Sequence, residues 1–279
     1  MKCISKFFIR WASYFSLLVA ATASAQTVHI SHCMAGCPVV AGDSSVDNGE
    51  LIIRQLFAAS INAESGLADW QAYRVLAGSV GVASLLPRVW FEDFLVSQAA
   101  QLAEDLDSQP QLEYSVSSDV EERTYQTSEI TLRSEDQGRL VPMSSFAGTP
   151  YWSELNFLSN MAALPFELRV GSWSRLDQAI NALANRIGEV YVVSGPIYRD
   201  EGEGGQAESN ANPSAYFKVI STPESLSAFI FESDLQQHVS FCDQASTVDL
   251  IEAATGLTLF PQRESVFADT LHAQLTCRL

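Results

Sequence analysis

Apolar side chains recur at steps of three and four through residues 171–188, the clearest periodic pattern in the chain. The recurring positions are Trp173, Leu176, Ile180, Leu183 and Ile187. This spacing places them on one face of an α-helix and predicts that they belong to the core. Gly188 follows the last of them and is a typical helix stop.

A second, shorter helix is predicted over residues 246–257. Ser246 or Thr247 can cap its first turn, because the side-chain oxygen of either residue can accept a hydrogen bond from a backbone N–H there. Gly256 is a suitable end, since glycine readily adopts the left-handed conformation that terminates many helices.

Other apolar runs predict strands. Residues 189–198 indicate a buried strand that we expect to end at a turn formed by Gly195–Pro196. Residues 214–221 and 226–233 predict two strands that could pair as neighbours. Residues 49–78 carry two short apolar runs, which fit either two strands or a strand and a helix. Because strands and helices are mixed without regular βαβ alternation, the pattern favours an α+β fold.

Residues 1–25 have the features of an export signal: a basic start, a short apolar run and the cleavage pattern Ala23–Ser24–Ala25. The apolar run is shorter than the ~20 residues that a membrane-spanning helix needs. We therefore expect a secreted or periplasmic protein without a membrane segment, whose residues 26–279 form the folded domain.

The chain is strongly acidic, with a formal charge of −17 that becomes −20 without the three basic residues of the signal. This field repels polyanions such as DNA, although salt screens it within ~10 Å at 0.1 M, so a local basic cleft could still bind one. Acidic residues are dense in residues 95–135, which we predict to be a surface loop or insertion. The absence of a P-loop and of a G-x-S-x-G motif leaves nucleoside-triphosphatase and serine-hydrolase functions without support.

Four cysteines follow the signal, and an even number in an exported protein predicts two disulfides. Four cysteines permit three pairings, of which the chain spacing favours Cys33–Cys37 and Cys242–Cys277. His29 and His32 lie close to the first pair, so a zinc site in this segment is the alternative.

Several stretches, in order along the chain, resemble the DNA/RNA non-specific endonucleases, which are secreted bacterial ββα-metal nucleases. The stretches are CMAGCP, PRVW, DQGRLVPMSSFAGTPYWSELNFLSNMAAL, GSWSRLD, VYVVSGPIY, NPSAYFKVI and FCDQASTVDLIEAATGL. They extend from about residue 33 to residue 260. The resemblance implies a central antiparallel sheet flanked by helices, phosphodiester hydrolysis in nucleic acids as the family activity, and Mg²⁺ as the family cofactor. In the family, residues 95–135 would be an unusually long insertion.

In that family the motif reads D-R-G-H, and its histidine is the general base that activates a water. An Asn thirty residues later binds the cation, and a Glu eight residues beyond it orients metal-bound water. Arginines neutralise the phosphate charge in the transition state.

This chain resembles the family in the outer residues of the motif and departs from it at the centre. The retained positions are Asp136, Gly138, Asn160 and Arg88. Asp177 stands at the position of the Glu. The motif arginine is replaced by Gln137, the general base by Arg139, and the metal-binding Asn by Arg169.

An arginine cannot perform either lost role. Its pKa lies above ~12, so it does not act as a base near neutral pH, and it has no acceptor atom with which to bind Mg²⁺. General acid–base assistance alone contributes ~10²–10⁴-fold. We therefore predict that nuclease activity is absent or strongly reduced and that no Mg²⁺ binds at Arg139 and Arg169.

Three functions remain open from the sequence. The first is a residual or altered hydrolase, and the second a protein that binds phosphate or nucleic acid through the two arginines without cutting. The third is an interaction scaffold in which the arginines pair with Asp136 and Asp177. A homodimer is compatible with each, and the net charge disfavours nucleic acid as the partner.

Overall fold

The computed structural model describes residues 29–42, 49–62, 66–96, 125–126, 131–132, 137–198, 212–263, 268 and 270–277. The predicted export signal, most of the acidic segment 95–135 and Asp136 lie outside the described residues.

The described chain contains thirteen strands. They are β1 (Val39–Val40), β2 (Gly49–Ile53), β3 (Phe57–Asn62), β4 (Ala68–Leu76), β5 (Tyr125–Gln126), β6 (Thr131–Leu132), β7 (Gln137–Arg139), β8 (Met161–Ala163), β9 (Glu189–Ile197), β10 (Ala215–Ser221), β11 (Leu226–Glu232), β12 (Ala245–Ser246) and β13 (Leu257–Thr258). Seven of them form a central antiparallel sheet in the order β12-β11-β10-β9-β4-β3-β2. The others pair as β1–β13, β5–β6 and β7–β8.

The helices are short apart from one. They are α1 (Phe166–Leu168), α2 (Ser174–Ile187), α3 (Val248–Thr255) and α4 (Leu271–Gln274). A π-turn with a kink at Gly171 covers Arg169–Trp173. Single turns of 3₁₀ helix lie at Ala77–Ser79, Ala83–Leu85, Met143–Ser145, Trp152–Asn156, Leu158–Asn160 and Phe241–Gln244.

Both predicted helices are confirmed, but the core stripe predicted for the first is wrong at its last position, because Ile187 is 45% exposed at the end of the helix. Helix α2 ends before Gly188, whose φ of +99° suits glycine. Thr247 caps α3 by accepting a hydrogen bond from the N–H of Leu250, and Gly256 ends this helix in the left-handed conformation. The predicted neighbours 214–221 and 226–233 are β10 and β11, paired antiparallel from Ala215–Glu232 to Ser221–Leu226. Residues 49–78 supply three strands and no α-helix.

The predicted turn at Gly195–Pro196 is wrong, because β9 continues through both residues to Ile197. A Cβ atom at Gly195 would lie 2.4 Å from the carbonyl oxygen of Asp69, so this glycine permits a close approach between strands and does not mark a turn. Pro196 is tolerated because the pairing of β9 with β4 has already ended at Ser194, and β4 needs no N–H from position 196.

The sheet is covered on both faces, which explains why every residue of β10 is buried. One face packs against α2 through Tyr73, Val75, Val192, Tyr216, Ile220, Leu176, Ile180 and Leu183. The opposite face packs against α3 and the N-terminal segment through Ala72, Val193, Phe217, Val219, Ile251, Leu257 and Cys33. This arrangement is the expected α+β fold, with a central antiparallel sheet flanked by helices.

Both expected disulfides are present, Cys33–Cys37 and Cys242–Cys277. The zinc alternative is therefore wrong for Cys33 and Cys37, since their sulfur atoms are bonded to each other. Across the described residues, no helix is both long and apolar enough to cross a membrane.

We expect Ile180→Ala to lower the free energy of unfolding by ~2–5 kcal/mol, because this side chain is 1% exposed in the core beneath α2. Ile187→Ala is the matched control: it removes the same atoms from the same helix at a position that is 45% exposed. Urea unfolding of both variants measures the difference. Equal losses of stability would show that α2 does not bury the predicted face.

Candidate functional site

The motif region forms a two-stranded ribbon followed by a helix. Strands β7 and β8 pair antiparallel, with Gly138 opposite Ala162 and Arg139 opposite Met161. The chain then passes through α1 and the π-turn into α2. A Cβ at Gly138 would lie 2.5 Å from the Leu164 side chain, so only glycine allows the ribbon to pack this tightly.

The side chain of Arg139 is held on three sides by the protein. Its Nε donates to the carbonyl oxygen of Leu155 at 3.1 Å, and one Nη donates to Oδ1 of Asn156 at 2.7 Å. Its guanidinium carbon lies 4.1 Å from the ring centroid of Trp90, a cation–π distance. The arginine at the motif position is therefore a packed, hydrogen-bonded cation.

Asn156 and Trp90 connect Arg139 to two other motif residues. The Nδ2 of Asn156 donates to the carbonyl oxygen of Pro87 at 3.1 Å, which fixes the backbone immediately before the exposed Arg88. Trp90 Nε1 donates to Oε1 of Gln137 at 3.1 Å. The structure thus brings Arg88, Gln137 and Arg139 into one region.

Asn160 is fully buried and hydrogen-bonds to the backbone on both sides of Arg139 and its partners. Its Oδ1 accepts from the N–H of Val141 at 2.9 Å, and its Nδ2 donates to the carbonyl oxygens of Val141 and Leu155 at 3.1 and 3.0 Å. The side chain satisfies three backbone groups of the loops around Arg139. We infer that its role is to hold the framework.

Arg169 begins the π-turn and is half-buried, with its guanidinium carbon 5.4 Å from the ring centroid of Phe166. The turn is braced by a neighbouring loop. A Cβ at Gly171 would lie 2.7 Å from the carbonyl oxygen of Gln237, and Arg175 donates to the carbonyl oxygens of Gln237 and Val239 at 2.7 and 2.5 Å. The position of Arg169 is set by these contacts.

Asp177, on the first turn of α2, forms a buried ion pair with Lys218 of β10. The Nζ of Lys218 also lies 3.8 Å from the ring centroid of Trp173. Burial raises the pKa of Asp177 and lowers the pKa of Lys218, while the charge of each partner opposes the shift of the other. The expectation that an arginine pairs with Asp177 is wrong, because the partner of Asp177 is Lys218 of β10.

Three residues of this region were missed by the sequence analysis: Trp90, Asn156 and Lys218. The sequence did carry a signal for Lys218. It is the one charged residue of β10, whose other residues are apolar or small, and a lysine buried in such a strand needs a partner of opposite charge. Asn156 gave no signal, because its partners come from residues 87 and 139 and depend on the fold.

We expect Lys218→Met to lower the free energy of unfolding by ~3–5 kcal/mol, because it leaves the Asp177 carboxylate buried without a counter-charge. Adding Asp177→Asn should recover part of this loss. As a control, Arg74→Met breaks the exposed Arg74–Glu189 pair and should cost at most ~1 kcal/mol. Thermal and urea unfolding of the four proteins provide the test, and a harmless Lys218→Met would contradict the pairing.

Comparison with known proteins agrees with this architecture. A family model described as DNA/RNA non-specific endonuclease matches residues 40–265. A nuclease of Serratia marcescens is 33% identical over 255 residues, which cover 88% of this chain and 86% of that protein. A solved EndoG/EndoGI complex, described as showing the mechanism of EndoG inhibition, contains a chain with a similar fold. Its TM-score is 0.55 at 16% identity, and the match covers 77% of this chain and 86% of that one. On the extent of the family match and the identity to the Serratia nuclease, the chain belongs to the DNA/RNA non-specific endonuclease family.

Proposed function

We propose that this protein is a non-cleaving member of the endonuclease family. The observation that supports the proposal most strongly is the environment of Arg139. A general base must accept a proton from water, but a guanidinium has no acceptor atom, and two N–H groups of this one are directed at Leu155 and Asn156. The group at the motif position therefore stabilises the fold instead of activating water.

The residues present do not fit a divalent cation of the kind that the family resemblance implies. Arg169 places a fixed positive charge at the motif position where a neutral oxygen ligand is required. The carboxylate of Asp177 already neutralises Lys218 inside the core. Within the part of the chain that the structure describes, no group of three or more His, Cys, Asp or Glu side chains is arranged to hold a metal ion.

Two of the four histidines make structural contacts. His32 Nε2 donates to the carbonyl oxygen of Arg54 at 2.9 Å. The ring of His272 stacks on Phe229 with 5.8 Å between the centroids. These two side chains therefore serve the packing of the fold.

Phosphate binding without cleavage is the second candidate, and the exposed position of Arg88 favours it. The Asn156–Pro87 hydrogen bond holds Arg88 at the surface next to the Arg139 cluster. An exposed, oriented guanidinium can contact a phosphate in one or two hydrogen bonds. The formal charge of −17 would keep such binding to a polyanion weak and strongly salt-dependent.

We also propose that the protein is exported, with residues 1–25 as the signal and residues 26–279 as one domain. The two disulfides support this proposal, because disulfides persist in oxidising compartments such as the periplasm and the extracellular space.

We expect the purified protein to leave plasmid DNA and RNA intact in the presence of Mg²⁺ or Mn²⁺, as it does with EDTA. Agarose and denaturing gel electrophoresis over a time course provide the measurement. The double variant Arg139→His/Arg169→Asn reintroduces a base and a neutral oxygen ligand at the two replaced positions. Gain of metal-dependent cleavage by this variant would localise the loss to these residues.

Metal-dependent cleavage by the unmodified protein would contradict the proposal and require another residue to serve as base. Asn160→Asp is a useful inactive comparison, since it perturbs the framework without adding a base at position 139. Circular dichroism and unfolding curves for each variant separate loss of folding from loss of activity.

A further inference from the structure

A surface cleft of about 450 Å³ is lined in part by the 3₁₀ turn Trp152–Asn156. Leu155 and Asn156 of this turn hold Arg139, whereas Glu154 lines the cleft. The other lining residues are His29, Ile30, Ser31, His32, Ile53, Arg54, Gln55 and Leu95. The proposed function uses none of them.

The charge of Arg54 is already cancelled. Its guanidinium makes a two-pronged ion pair with Asp93 and stacks on Phe157, 3.8 Å from the ring centroid. The side chains of Arg54 and Asp93 are only 9% and 1% exposed, so the pair forms part of the wall. Among the described lining residues, Glu154 is the carboxylate without an ion-pair partner, and the nearby charge of Arg54 partly offsets its charge.

The carboxylate of Glu154 is fixed in place and carries its charge at a partly dehydrated position. One oxygen accepts from the backbone N–H groups of Gln55 at 3.0 Å and Leu56 at 3.3 Å. No ion pair to Glu154 exists among the residues that the structure describes. Burial raises the pKa of Glu154, which indicates that a cation entering the cleft would meet a poorly solvated carboxylate.

Apart from Arg54 and Glu154, the wall of the cleft includes apolar and neutral side chains. Ile53 and Leu95 are each 49% exposed, so apolar surface is available beside Glu154 in the cleft. Burial lowers the pKa of His32, so its imidazole is uncharged at neutral pH and does not repel a cation. The formal charge of −17 also raises the local concentration of cations around the protein.

We propose that this cleft binds an ammonium or guanidinium group carried on an aliphatic stem. The cationic head contacts Glu154, and the stem lies against Ile53 and Leu95. Either a free amine or the lysine or arginine side chain of a peptide has this chemistry. An anion is excluded by Glu154. This inference does not depend on whether the protein cleaves nucleic acid.

Isothermal titration calorimetry of the full protein with agmatine, with an acetylated arginine amide and with its neutral citrulline analogue tests the proposal. We expect one site that binds at least one of the two cationic probes and discriminates against citrulline by about tenfold or more. Binding of agmatine alone would identify a free amine as the ligand, and binding of the arginine amide would admit a peptide side chain.

Two variants locate the site. Glu154→Gln keeps an acceptor for the N–H groups of Gln55 and Leu56 but removes the charge, and should weaken binding about tenfold or more. Glu167→Gln is the matched control, because Glu167 is exposed and likewise accepts a backbone N–H, that of Gln237 at 3.1 Å; it should bind normally.

Ile53→Lys places an ammonium of the protein itself at the cleft and should abolish binding without unfolding the protein. Failure of both cationic probes to bind, equal binding of citrulline, or unchanged affinity in Glu154→Gln would each overturn the proposal. A final titration adds Zn²⁺ to the protein with the cationic probe bound. Displacement of the probe by one equivalent of Zn²⁺ would overturn the proposal, because it would show a metal site at His29 and His32.

Discussion

The buried contact between Asp177, Lys218 and Trp173 links the main helix to the centre of the sheet. Lys218 lies on β10, flanked by β9 and β11, and Asp177 lies in the first turn of α2. Both charges are buried away from water, so each needs the other as its partner. The pairing holds the first turn of α2 in one position on the sheet, and with it the π-turn that carries Arg169. This pair therefore fixes the start of α2 against the sheet, directly after the turn that carries Arg169.

Around this anchor, the two positions to which the family resemblance assigns a general base and a metal ligand hold arginines, and we propose that both arginines serve the fold. Arg139 satisfies Leu155 and Asn156 and stacks on Trp90, so its positive charge is used inside the protein. Arg169 is half-buried in a braced turn. An ordinary metal site requires acceptor atoms and ionised carboxylates, whereas this region offers guanidinium donors and a carboxylate already paired. This environment supports the proposal that the family scaffold is retained here without its reactive groups.

The sequence predicted the regular parts of this structure well. The 3.6-residue spacing of α2, the caps of α3 and the strand pair β10–β11 depend on neighbours in the chain, which local patterns report. That Arg139 and Arg169 replace a family histidine and asparagine stays a prediction from the resemblance. The turn predicted at Gly195–Pro196 was wrong because glycine and proline usually mark turns. Here the glycine is needed for another reason, since the backbone of Asp69 approaches it closely within the sheet. The partners of Arg139 come from distant segments and no local pattern encodes them, whereas Lys218, the partner of Asp177, stands out locally as the one charged residue of an apolar strand.

The central claim is that the family's reactive centre has become a metal-free structural region. The most direct test is a crystal of this protein soaked in Mn²⁺ and measured at the manganese absorption edge, which locates the ion independently of any activity. The account predicts no anomalous peak near Asp177, Asn160 or Arg169, and an intact Asp177–Lys218 pair. An ordered Mn²⁺ coordinated by Asp177, with Lys218 displaced, would contradict it.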